Sequence, residues 1–214
     1  MDVPRSLPAR VYLTAYDAQR NKLTRTSRLN HLVRTAALEQ LTISGHLRDD
    51  DGKVAAPGRE TTGDPVLDGV LALVRASERR RPWKHWVKKQ AGSTRGTLRD
   101  QLTRERVIRV ERHRFLGVLP HEVVTVRDTR EVKALQRTAE QALTGRTPTT
   151  QLDQREVALA AIAALGELDT VCRGSVRREN RERIKELVAL SGPAVPALKK
   201  VLSDEAHAAG AAAV

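Results

Sequence analysis

The chain has 214 residues, 40% hydrophobic and 30% charged, and its 38 Lys and Arg against 26 Asp and Glu give a net charge of +12 and a pI near 10.6. Such an excess makes part of the surface positive and favours nucleic acid, anionic lipid or acidic protein as a partner, without choosing among them. A single cysteine, Cys172, excludes an intramolecular disulfide framework, and no apolar run reaches the ~18 residues that read as a membrane span. Met1 to Arg10 lacks the apolar centre of a signal peptide, so a cytoplasmic protein is expected, peripheral at the inner membrane face if it meets a membrane at all. Of the 38 cations 29 are Arg, whose planar fork suits phosphate and carboxylate; GC-rich coding would produce the same bias.

Aromatic residues make up only 2% of the chain, so the core is built from Leu, Val, Ile and Ala, which suits packed helices. The expected class is mainly α: a single domain over 1–214 of about six to nine helices with one or two β-hairpins. Leu29, Leu32, Val33, Ala36, Ala37 and Leu41 recur at helical spacing after a candidate cap at Ser27, and Gly45 suits a left-handed stop. Asp50-Asp51-Gly52 separates two short runs, the signal of a small hairpin. Asp64-Pro65 is a helix start, with Val66, Leu67, Val70, Leu71 and Val74 on one face, ending in the cationic loop Arg79-Arg80-Arg81-Pro82.

Trp83 and Trp86 follow among Lys84, Lys88 and Lys89, and Gly92-Ser93-Thr94 is read as a break before a helix carrying Leu98 and Leu102. From Val107 to Val126 the pattern turns to period two, through Val107, Phe115, Val118, Val123 and Val124, predicting a longer hairpin. Asp128 and Glu131 suit a capping box for a helix through Val132, Leu135, Ala139 and Leu143, stopped at Gly145. Three further helices are expected at about 153–170, 175–190 and 194–210.

Chemistry-bearing motifs are absent: no Gly-rich phosphate loop, no GxSxG and no HExxH, so no catalytic residues are assigned and catalysis is not expected. The histidines at 31, 46, 85, 113, 121 and 207 have no metal-ligand spacing, and Asp49-Asp50-Asp51 lacks the spaced oxygens of a calcium loop. No metal or cofactor is expected. The basic segments carry more information. Arg79 to Lys89 combines six cations with two tryptophans, suited to a membrane interface or to base stacking, although a tryptophan in the core fits the same pattern. Arg34 stands on an otherwise apolar helix side, either snorkelling or held for an anion, and Arg95 follows a helix start.

The ordered elements also resemble a known family. Leu41-Thr42-Ile43-Ser44-Gly45-His46-Leu47 is similar to the ELALRGRL helix end of the Golgi phosphoprotein 3 family, and Thr62-Gly63-Asp64-Pro65-Val66-Leu67-Asp68 to its PTGD-x-LLDEAL motif. Trp86 before a basic helix, Leu102 to Ile108 like NLVEKGVL, and then a hairpin keep the same order. The resemblance is strongest over 8–170 and points to the bacterial, actinobacterial-type branch. It implies a helical domain that binds phosphatidylinositol 4-phosphate at a basic pocket and pairs subunits through the 107–126 hairpin. By motif position Arg34 matches the family's helix Arg, and Arg95 the second of its later basic pair. The first of that pair falls at Gly92, and the loop tryptophan at Arg25, so Arg25, Lys88 and Lys89 are the candidate substitutes. The candidate head-group ligands are therefore Arg34, Arg95, Arg25, Lys88 and Lys89, and the expected partner is an anionic phospholipid or membrane surface. The alternatives are a nucleic-acid binder using a winged-helix-like segment over 98–124, and a non-catalytic oligomerising scaffold.

Overall fold

The computed structural model describes residues 6–115 and 119–211. Ten α-helices and three two-stranded antiparallel sheets make up its regular structure, so the fold is mainly α with hairpins, as expected. Val118, part of the period-two pattern, and Met1 to Arg5 of the N-terminal segment lie outside the described residues.

The centre is α2 (Thr26–Ile43), which packs against α1 (Leu7–Thr14), α3 (Pro65–Arg75), α4 (Trp83–Lys88), α5 (Ala91–Arg104), α7 (Gln154–Leu165) and α10 (Ala194–Ala211). Leu29, Leu32, Val33, Ala36, Ala37, Leu38 and Leu41 are all buried, as is usual for a helix enclosed on most sides. Its neighbour α7 is buried from Val157 to Ala164, and its alanines let helices approach closely. The helix starts differently from the expectation: Ser27 is not the cap. Arg25 occupies the cap position in the left-handed region at φ 50°, and Thr26 opens the helix. At the other end Gly45, at φ 76°, makes the expected left-handed stop.

The hairpin of β3 (Arg48–Asp50) and β4 (Lys53–Ala55) turns through Asp51 and Gly52, both at positive φ, as a two-residue hairpin of this twist requires. Asp64 caps α3 as predicted, its Oδ1 accepting from Val66 N at 2.8 Å and Leu67 N at 3.3 Å. The break expected at Gly92-Ser93-Thr94 is absent. Gln90 takes the left-handed conformation, φ 53°, so α5 begins at Ala91 and those three residues form its first turn. Thr94, Leu98 and Leu102, one per turn, are its buried stripe.

The long hairpin pairs β5 (Ile108–Phe115) with β6 (Leu119–Val126) in the register Ile108↔Val126 and Val110↔Val124, placing Ile108, Val124 and Val126 in the core. Asp128 caps α6 (Thr129–Thr144) through Arg130 N at 2.8 Å, while Glu131 keeps a buried Oε1 without a partner, so the capping box is half made. The helix expected at 153–170 ends at Leu165, and 175–190 is two helices, α8 (Gly174–Glu179) and α9 (Arg181–Leu190), divided at Asn180. Helix α1 and the small pair β1 (Tyr16–Asp17) and β2 (Lys22–Leu23) were not anticipated. Seven of the eight α1 residues are buried, which leaves no polar face and hence no periodic signal.

Candidate functional site

Arg34 is fully buried, the largest fully buried side chain in the core. Its Nε donates to the Trp86 carbonyl at 2.9 Å and its Nη1 to Thr94 Oγ1 at 3.0 Å, so the guanidinium ties α2 to α4 and α5. Nη2 is buried with no partner, and among the described residues no carboxylate pairs with this cation. Burial pushes its pKa down to about 10, which still leaves it charged at neutral pH. A buried charge without a counter-ion costs several kcal/mol, on the order of what one well-made ion pair recovers.

The same side chain lines a groove of about 390 Å³ between α3 and α5. Val66, Val70 and Leu73 supply an apolar wall on one side; Ser93, Thr94 and Thr97 supply hydroxyls on the other. The Thr62–Asp68 motif builds the first wall. Asp68 Oδ1 accepts from Thr62 N and Thr62 Oγ1, both at 2.7 Å, and its Oδ2 from Gly63 N at 3.2 Å. Burial raises the Asp68 pKa, but these bonds outweigh it and hold the carboxyl below its ordinary value. The motif's acids are therefore committed to fixing the turn into α3, while its Pro65 and Val66 line the groove.

Arg95 lies on the other flank of α5. Its Nη1 donates to Asn30 Oδ1 at 3.1 Å and to the Thr26 carbonyl at 3.2 Å, anchoring the first turn of α2. It lines a cavity of about 460 Å³ with Arg20, Lys22, Leu23 and Arg99, where Arg99 is paired with Glu122. The Tyr12 hydroxyl, pushed up to about 12 by burial, is a donor without a partner on the same wall.

The remaining candidates point elsewhere. Arg25 pairs with Asp169 at 3.1 Å and donates through Nε to the Glu167 carbonyl at 3.0 Å, so it belongs to the loop after α7. Lys88 and Lys89 are exposed at the end of α4, next in sequence to Gln90, which lines the α3–α5 groove. Both tryptophans are core residues, 4% and 3% exposed, which removes them as interfacial or base-stacking groups. Trp83 Nε1 donates to Asp49 Oδ1 at 2.5 Å. The structure thus places Arg34 and Arg95 on opposite flanks of one helix, with Arg25 turned away from both. Thr94, Arg99, Arg20 and Lys22 escaped sequence reasoning. Only Thr94 carried a signal, as the polar member of the stripe with Leu98 and Leu102.

Among the described residues no helix is long and apolar enough to cross a membrane, and no cluster of His, Cys, Asp or Glu could hold a metal ion. No curated protein matches the chain. The family model for Golgi phosphoprotein 3 (GPP34) matches residues 7–204, from the first turn of α1 into α10. With the helical core around α2, the capped Thr62–Asp68 turn and the long hairpin all inside that match, the chain belongs to the Golgi phosphoprotein 3 (GPP34) family.

Proposed function

We propose that this protein is a non-catalytic, peripheral binder of anionic phospholipid head groups, of the phosphatidylinositol 4-phosphate type that the family resemblance implies. The observation that carries the reading is Arg34: a buried cation with a spare N–H, without a carboxylate partner, on the wall of a groove whose other wall is apolar. An anionic head group supplies the missing charge, and Val66, Val70 and Leu73 suit the carbon adjoining it. Arg95, Arg20 and Lys22 on the other flank of α5 add surface attraction, each cation near an anionic bilayer contributing about 1 kcal/mol.

Sedimentation with vesicles of phosphatidylcholine alone, with phosphatidylglycerol, and with phosphatidylinositol 4-phosphate tests this. Retention is expected on both anionic preparations, weakening as salt rises, and greater on the phosphoinositide for wild type than for Arg34→Met. Absence of retention on every anionic vesicle at low salt overturns the proposal, and a gel shift with DNA or RNA under those conditions would favour the winged-helix-like segment 98–124 instead.

A further inference from the structure

We propose a second anion site, lined by neither Arg34 nor Arg95, in the cleft between the β3–β4 hairpin and the loop joining α3 to α4, with a phosphate monoester as its ligand. The cleft encloses about 210 Å³ and is lined by four arginines, Arg48, Arg75, Arg79 and Arg80, over a floor of Val54 and Trp86. No acidic residue lines it. Asp50 neutralises Arg80 in part, while among the described residues Arg48 and Arg79, both exposed, pair with no carboxylate. The concentration of positive charge therefore exceeds what any neighbouring side chain balances.

Two buried donors on the lining have no partner. Trp86 is 3% exposed, and its Nε1 donates to nothing; Arg75 Nε is likewise buried and unpaired. Native proteins leave few such groups, and each asks for an acceptor. The cleft is also held in shape. Arg75 is fixed by bonds from Nη1 to the Arg59 carbonyl at 3.3 Å and from Nη2 to the Glu60 carbonyl at 3.0 Å. The arginine loop is pinned to the hairpin by Val54 N donating to the Arg81 carbonyl at 3.0 Å and by the Lys53↔Pro82 bridge. Such a volume suits a phosphate and a little of what carries it, and guanidinium forks match phosphate oxygens bidentately. A dianion offsets this excess better than a carboxylate does.

Trp86 makes the site readable. Trp83 is the chain's other tryptophan, so Trp83→Phe leaves Trp86 as sole reporter. Full-length Trp83→Phe protein is titrated at constant ionic strength with glycerol phosphate, with sodium sulfate as control, and with vesicles of phosphatidylcholine with or without phosphatidic acid. The expected result is a saturable change in Trp86 fluorescence with a monoester, weakened at least about ten-fold by the exposed pair Arg48→Ala and Arg79→Ala and unchanged by Arg95→Ala, which touches neither Trp86 nor the cleft. Circular dichroism of each variant checks that the helices persist. A response to the soluble monoester identifies a free metabolite as sufficient, and a response to phosphatidic acid vesicles alone identifies a lipid head group; either supports the site. No saturable change in either arm overturns it, as does equal weakening by the control pair Arg173→Ala and Arg178→Ala. Weakened binding to phosphatidylinositol 4-phosphate vesicles in Arg95→Ala with this response intact separates the cleft from the function proposed above.

Discussion

The middle of α2 and its N-terminal end both carry ionisable residues, and they are built on opposite principles. At the end, Arg25 and Arg28 reach Asp169 and Glu167 across exposed surface, and Arg95 closes on Asn30 and Thr26. Each cation there has an acceptor, water is near, and such pairs are worth about 0–1 kcal/mol. In the middle, Arg34 and Glu39 are 0% and 2% exposed, and each keeps a polar atom unpaired, Nη2 and Oε2 respectively. Glu39 Oε1 accepts from Gly192 N, in the turn that leads into α10. What a charged residue does in this protein depends on how its charge is compensated. The count of cations, +12 net, says little about it.

The largest effect should come from Arg34. Arg34→Ala removes both bonds that tie α2 to α4 and α5 and leaves a cavity, so unfolding in urea should show a loss of about 3 kcal/mol. Arg34→Met fills much of the space without a charge and should stay within about 1 kcal/mol of wild type. Equal stability of the Ala variant and wild type would erase the contrast with the helix end.

Glu39 sharpens the comparison through pH. Burial raises its pKa from 4.5 to about 7, a rise that the Gly192 bond only partly opposes. Between those values the folded chain holds a proton that the unfolded chain has released, so stability is greatest below pH 4.5 for this group and falls as pH rises through 7. The loss should be on the order of 3 kcal/mol, superposed on the other carboxylates, and Glu39→Gln should abolish it, so that it stands as the pH-dependent difference between variant and wild type. Parallel stability curves for the two proteins from pH 5 to 8 would contradict the buried, partly unpaired carboxyl.

The smallest effect belongs to the exposed end. Arg95→Ala should leave stability within about 0.5 kcal/mol of wild type while lowering affinity for anionic vesicles about five-fold. A stability loss as large as that of Arg34→Ala would place Arg95 among the core groups.

These contrasts show where the sequence was legible. The αL stop at Gly45, the Asp51-Gly52 turn and the Asp64 cap depend on a few adjacent residues, and each formed as read. The starts of α2 and α5 did not, because Arg25 and Gln90 adopt left-handed backbone that no local propensity favours. Arg25 is held there by its bonds to Glu167 and Asp169, in the loop after α7, so residues distant in sequence set where α2 begins. Helix α1 was invisible because a helix buried on nearly every side has no amphipathic period.

The sequence by itself determined the class and the family: Leu, Val and Ala spacing with scarce aromatics demands packed helices, and TGDPVLD marks the turn that sets α3. It also singled out Arg34 as a cation on an apolar face. Only the tertiary structure decided how Arg34, Arg95 and Arg25 are separated, since each guanidinium swings several ångströms from its backbone toward whichever acceptor the packing brings near. Trp86 is the sharpest instance. Spacing left it suited to a membrane surface or a core, and the fold put its carbonyl under Arg34 and its indole beneath four arginines.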